Sequence, residues 1–378
     1  MSQRKIVIFP VSLMFVDDAI DAKFVAQVNE CSAGHWFVAV SNRPEPALFK
    51  KSGIKAVFCN ARPRENGKFV QKLLDANQEK LKVKKSQVVI LGFGKSDIPM
   101  FANSKSVLIR CDWRADIAPE ILRYGIPCPD ITQLPYVLKL LDEEHPWYFT
   151  QKHAFFDTYC LTNAATKKGN DEEFKALAAK FQNILKNGPS KQYTDFITHA
   201  LSSLYATEIF AEANIWTYYP SSSSNNTGQE VIASFAEMPR TTFGIHRKPH
   251  PLIIRHTATA SRHAGSQVGR DDPTVQIRSI RLHEDYKNVI ADKTVVVLDD
   301  FMNYGVSFCV AAAFLRKAGA KKVIAVAMGK FPRSFYLKEI EILSDPFAPV
   351  HDFKVVNTTG ECGTYAPEAS EAFKRKFL

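Results

Sequence analysis

Short β-branched apolar runs recur along the first 110 residues, and segments of helical spacing lie between several of them. Arg4–Phe9 is the first run and Trp36–Asn42 the second. Ala56–Cys59, Gln87–Leu91 and Ser106–Arg110 follow. Residues 17–30, Phe69–Lys82 and Ile131–Glu143 carry helix-compatible spacing. Strands alternating with helices predict a parallel, doubly wound sheet. Beyond it, residues 146–170 mix aromatics with Lys, Asn and Thr and read as irregular, so a domain boundary is expected there. Two helical stretches follow, Asp171–Leu185 and Tyr193–Ala213, broken by the Lys186–Ser190 cluster. Trp216–Pro220 reads as the first strand of a second sheet, joined by Thr294–Leu298 and Lys322–Met328, and the tail holds a further strand, Phe353–Val356. The pattern predicts an α/β fold of two Rossmann-like domains, each a mostly parallel sheet flanked by helices. Residues 1–150 and 214–378 form the domains and residues 151–213 a helical bridge.

Composition narrows the class. With 378 residues, 46% of them hydrophobic, the chain has material for two domains of ordinary size. Seven cysteines without a C-x-x-C pair argue against a disulfide framework or a structural zinc site, and fit a reducing cytoplasm. Met1–Lys5 followed by an apolar run superficially copies a signal peptide. Pro10 splits that run, however, and Asp17, Asp18 and Asp21 occupy the place of a cleavage site, so a buried first strand is expected instead. No apolar run approaches the roughly 18 residues of a membrane span. The net charge of +10 permits attraction to polyanions, nucleic acid included, and equally suits a binder of phosphorylated sugars.

The sharpest chemical signal is Thr294–Ser307. An apolar run ends in Asp299 and Asp300, a short polar turn with Gly305 follows, and a helix-forming segment begins at once, closed by Gly319. A loop at the carboxyl end of a parallel strand, leading into a helix N-terminus, is a natural phosphate cradle. The two aspartates cannot hold phosphate but can accept hydrogen bonds from sugar hydroxyls, which points to a sugar phosphate. This stretch resembles the ribose-phosphate signature of type I phosphoribosyltransferases, an acidic pair followed by Thr-Thr-Gly-x-Thr. Asp299 and Asp300 match the acidic pair, Gly305 the glycine and Ser307 the last hydroxyl, whereas Asn303 and Tyr304 replace two threonines. The resemblance implies that Asn303, Tyr304, Gly305, Val306 and Ser307 hold a 5-phosphate, mostly through main-chain groups. Asp299 and Asp300 would hold ribose hydroxyls as charge develops at the anomeric carbon, and Mg²⁺ would arrive with phosphoribosyl pyrophosphate.

The same resemblance assigns lesser roles. The serine-rich turn from Ser221 and Ser222 to Gly228 would wrap the pyrophosphate; as a sequence it reads equally well as a surface loop. Arg255 and Arg262, in the place of the family's flexible catalytic loop, would neutralise the departing pyrophosphate. Residues 255–267 also resemble, weakly, the layout of competence-type phosphoribosyltransferases, and a solvated basic loop or a nucleic-acid contact stays open. Phe331 or Phe335 would stack on a base, or serve as core aromatics. His246 and His250 have a four-residue spacing, but Pro249 between them argues against a helical metal pair.

The N-terminal half resembles the haloacid-dehalogenase (HAD) hydrolases. Val38–Asn42 looks like that family's second motif, and Gly92–Asp97 with the following residues looks like its acidic fourth motif. The first motif's two aspartates are absent from the Ile6–Ser12 strand, and Phe93 replaces the first acid of the fourth. With only Asp97 left there is neither a nucleophile nor a set of magnesium ligands, so no phosphatase activity is expected. Two readings of the whole chain follow. One is a phosphoribosyltransferase-like enzyme acting on a phosphorylated sugar or nucleotide. The other is an effector or regulatory subunit of a retron-type antiphage defence system, sensing nucleotides beside a nucleic-acid or protein partner. In either, a homo-oligomer is compatible with the sequence.

Overall fold

The computed structural model describes residues 4–60, 68–73, 75, 87–122, 124–142, 147–165, 172–187, 193–207, 213–222, 231–243, 248–259, 271–361 and 363–377. The chain divides into two compact units. Residues 1–144 with 196–206 form one, and residues 145–195 with 207–378 the other. The stretch expected as a bridge is therefore divided: Glu172–Asn187 lies in the second unit, and most of the Tyr193–Ala206 helix is counted with the first.

In the first unit, β1 (Ile6–Pro10), β4 (Trp36–Ser41), β5 (Val57–Asn60), β6 (Val88–Gly92), β7 (Val107–Cys111) and β8 (Ile126–Cys128) form one sheet. Its order is β5-β4-β1-β6-β7-β8, and every pairing is parallel. In chain order this is 3-2-1-4-5-6, the doubly wound arrangement. All five residues of β1 and of β6 are buried. Strands covered on both faces carry unbroken apolar runs in place of alternation, which is why these segments are legible in the sequence. After β1 come a single 3-10 turn, Val11–Met14, and a tight hairpin of β2 (Phe15–Val16) and β3 (Ala19–Ile20). The helix expected from residue 17 starts instead at Ala22, capped by Asp21, whose carboxylate accepts from the N–H groups of Lys23 and Phe24. Phe24, Val25, Val28 and Cys31 form its buried stripe.

The second unit holds a mixed sheet of order β11-β14-β15-β10-β9-β18. Its strands are β9 (Phe149–Gln151), β10 (Phe156–Asn163), β11 (Ile215–Tyr218), β14 (Thr294–Met302), β15 (Lys322–Lys330) and β18 (Thr364–Tyr365). The first four in spatial order are parallel, and β9 and β18 add antiparallel strands at one edge. Two ribbons complete the unit, β12 (Ile253–Arg255) with β13 (Ile280–Leu282), and β16 (Tyr336–Ile342) with β17 (Phe353–Glu361).

The segment read as irregular contains β10, a central strand with seven of its eight residues buried, so Trp216–Pro220 is not the first strand of this sheet. Polar residues disguised it. Asp157 is buried and meets Lys322 at 2.7 Å, and Thr158 and Thr162 sit among apolar neighbours. The strand bearing the acidic pair also does not stop there. It runs on to Met302, with Phe301 opposite Gly329 on β15.

The Val306–Lys317 helix crosses back over this sheet with nine of its twelve residues buried. Arg316 and Lys317 lie in its last turn, where cations favour the helix dipole. Gly319, at φ +86°, turns the chain into β15. Among the described residues no helix is long and apolar enough to cross a membrane.

Candidate functional site

At the carboxyl ends of β11 and β14 the second unit has a cavity of about 300 Å³. Successive strand residues face opposite ways, yet both Asp299 and Asp300 line it, and local carboxylate-to-backbone bonds hold the two side chains. The N–H of Asp300 donates to Asp299 Oδ1 at 2.9 Å, and that of Phe301 to Asp300 Oδ1 at 2.7 Å. Burial, reinforced by the adjacent Asp300 carboxylate, pushes Asp299 well above the ordinary carboxylate range, and Arg255 only partly opposes this. Asp299 therefore favours its neutral form more than a free carboxyl does.

The turn after the pair is shaped by Gly305. Its φ is +83°, and a Cβ there would lie 2.1 Å from Cε2 of Phe335, so only glycine fits. Gly305 is the N-cap of the Val306–Lys317 helix and offers no side-chain cap. The first N–H groups of a helix have no intrahelical acceptor, and here Val306, Ser307 and Phe308 line the cavity. No acidic residue occupies this first turn, which leaves the dipole's positive end available to an anion.

Beneath the turn lies Lys330, fully buried at the end of β15. Its ammonium donates to the carbonyls of Asn303 and Phe331, each at 2.8 Å, and to that of Arg333. These bonds tie the 303–305 turn to the 331–333 turn. The sequence shows Lys330 only as a polar residue closing a strand. Nothing in it marks the side chain as buried.

The opposite wall follows β11. The N–H of Tyr219 donates to the Leu298 carbonyl at 2.8 Å, continuing the ladder past the strand, and Ser221 and Ser222 then line the cavity. Arg255 is the last residue of β12 and only 1% exposed, not part of a mobile loop. Its guanidinium donates to the carbonyls of Ser221 and Pro220 (the latter at 3.3 Å), to the Ser279 hydroxyl, and to Gln276 Oε1 at 2.9 Å. With so many protein acceptors it fixes the 220–222 turn in place. A departing pyrophosphate would have to displace these contacts to use it.

The cavity thus gathers Asp299, Asp300, Asn303, Tyr304, Gly305, Val306, Ser307, Ser221, Ser222, Arg255 and Phe331, residues spread over more than 100 positions of sequence. Arg262, most of the serine run and His246 lie outside the described residues. Phe331 is half-buried and its ring packs 5.4 Å from that of Phe301, whereas Phe335 is fully buried under Gly305 and unavailable to a base. Tyr304 packs against the core, so its ring is part of the turn's support. Sequence reasoning missed Gln276 and Tyr219, which also line the site. No local motif announces them.

Two other sequence features are placed elsewhere. In the first unit, Asp97 is 2% exposed and accepts the N–H groups of Phe93 (3.0 Å) and Gly94 (2.8 Å). Burial pushes its carboxyl upward against the pull of those two bonds, so its evident task is to close the turn after β6. His250 neighbours His283, not a helical partner. The rings stack at 4.5 Å, and Asp285 lies beside them, with His283 Nδ1 accepting the Asp285 N–H at 3.2 Å.

No family model matches the chain, and no curated relative matches it. Similar solved structures fall in the N-terminal part. A hypothetical protein from Xanthomonas campestris is 16% identical, with a TM-score of 0.24, over 32% of this chain and 69% of its own. The cobalt-bound form of the deoxy-D-mannose-octulosonate 8-phosphate phosphatase from Haemophilus influenzae is 18% identical, with a TM-score of 0.24, over 32% and 74%. A protein assigned to the HAD family of hydrolases from Streptomyces avermitilis is 14% identical, again at 0.24, over 32% and 71%. Likenesses this low bear no functional argument.

Proposed function

We propose that the second unit binds a ribose 5-phosphate ligand, phosphoribosyl pyrophosphate or a nucleotide, in the cavity at the ends of β11 and β14. One observation carries the reading. An acidic pair able to accept from a vicinal diol shares a single cavity with a glycine-capped helix N-terminus free of acidic side chains. In this reading the N–H groups of residues 305–307 and the Ser307 hydroxyl take the phosphate. Asp299 and Asp300 take the sugar hydroxyls, and Phe331 forms an apolar side wall. The oxygen donors present also suit Mg²⁺, which binds through one or two carboxylates plus ligand phosphates. Asp299, Asp300 and the hydroxyls of Ser221 and Ser222 would hold such an ion, and its charge would neutralise the pyrophosphate.

Binding is better supported than transfer. Tyr304 stands where the resembling family has a threonine hydroxyl, and Arg255 is engaged by the protein. This favours the sensor or effector form of the reading over an efficient transferase. The experiment is isothermal titration of the protein with phosphoribosyl pyrophosphate and Mg²⁺ at two salt concentrations. Micromolar binding, lost when Asp299 and Asp300 are both changed to Asn in a folded protein, supports the site. Binding that survives the double substitution refutes it.

A further inference from the structure

We infer that Gln276 is the cavity's specificity-determining donor, reading an oxygen acceptor on the group attached to the sugar's anomeric carbon. The inference rests on the sugar-phosphate reading above and names what that ligand must present.

Gln276 is 6% exposed and lines the cavity. Its Oε1 accepts from two side chains, the Tyr219 hydroxyl at 2.8 Å and Arg255 Nη2 at 2.9 Å. A guanidinium can only donate, so the amide cannot be flipped: the oxygen must face Arg255. The NH₂ edge is thereby turned away from both partners. Among the described residues that edge makes no hydrogen bond to the protein and is not sealed inside it, and Gln276 borders the cavity. Two locked N–H donors at a largely buried position select a hydrogen-bond acceptor and reject a donor, because a mismatched polar group has nowhere to turn.

Arg255 accordingly acts as a positioning residue. Its other bonds, to the Pro220 and Ser221 carbonyls and the Ser279 hydroxyl, keep the guanidinium plane fixed, and that plane fixes the amide. The 5-phosphate and the ribose diol already have their partners on the far wall, at residues 299–307. What remains for Gln276 is the C1 substituent: a nucleobase carbonyl or a pyrophosphate oxygen.

The test uses Gln276→Met, which keeps the side-chain length and removes the two donors without adding a negative charge beside Asp299 and Asp300, as Glu would. The full chain is titrated with ribose 5-phosphate, uridine 5′-monophosphate, and phosphoribosyl pyrophosphate with Mg²⁺. Affinity is expected to fall at least tenfold for one or both of the substituted ligands and to stay within twofold for ribose 5-phosphate; the ligand that loses identifies which acceptor is read. Arg255→Lys, which retains charge without the planar fork, is expected to narrow the ratio between substituted and unsubstituted ligands. Equal losses for all three ligands, or no loss for any, overturn the inference. Failure of the unsubstituted wild-type protein to bind any of the three sinks the sugar-phosphate reading itself, and this inference with it.

Discussion

Changing Lys330 to Met tests whether a buried ammonium holds the candidate loop in shape. The side chain is fully buried and donates to three carbonyls, those of Asn303, Phe331 and Arg333. Hydrogen bonds from a charged donor contribute about 1.5–3 kcal/mol each, but burying the ammonium costs several kcal/mol. Met keeps most of the apolar stem and removes that burial cost. What it leaves behind is uneven. The Phe331 carbonyl also receives the Arg333 N–H at 2.7 Å, and the Arg333 carbonyl receives the Tyr365 hydroxyl at 3.4 Å, whereas Asn303 depends on the lysine. One orphaned carbonyl costs about 1–3 kcal/mol, and the two turns lose their common tie. We expect a net loss of roughly 2–4 kcal/mol, and each kcal/mol lowers Tm by about 2–4 °C in a unit of this size. A thermal melt of the full chain, followed by titration with phosphoribosyl pyrophosphate and Mg²⁺, reads both effects. Ligand affinity should drop at least tenfold even below the new Tm, since the Asn303 turn is no longer held. A variant with unchanged Tm and unchanged affinity would refute the idea that Lys330 organises the site.

Three further outcomes are expected. Asp299 is raised in the folded state, so its stabilising share is fully present below its unfolded value near 4 and is lost as pH rises through the higher folded value. Asp299→Asn should therefore flatten the pH dependence of Tm above about pH 4 and raise Tm at the alkaline end; parallel melting curves would contradict this. Gly305→Ala combines a left-handed backbone, costing about 1–2 kcal/mol, with overpacking against Phe335 of about 1–3 kcal/mol, and should abolish ligand binding in a calorimetric titration. In the first unit, Asp97→Ala should destabilise by about 2–4 kcal/mol in urea unfolding, because two bonds to a carboxylate vanish. Asp97→Asn, which keeps an acceptor, should cost far less, and neither change should alter ligand affinity at the second unit.

The sequence by itself determined the elements whose physics is local. Ile6–Pro10, Val88–Gly92 and Thr294–Leu298 are legible because strands buried on both faces need continuous apolar runs. The turn into the Val306–Lys317 helix is legible because glycine is the default residue of a left-handed turn, whereas the Phe335 ring over it is a tertiary contact. The acidic pair and its loop are contiguous, so their chemistry could be read without a fold. Tertiary structure decided the rest. β10 was hidden because its one carboxylate is matched from outside the strand, Asp157 by Lys322, more than 160 positions away. Arg255 looked like a loop cation until burial gave it protein acceptors from residues 220, 221, 276 and 279. Lys330 and Gln276 carry no local signal at all. A side chain's charge and reach are written in its identity, but whether it meets water, a ligand or three carbonyls is decided by segments brought together only when the sheet closes.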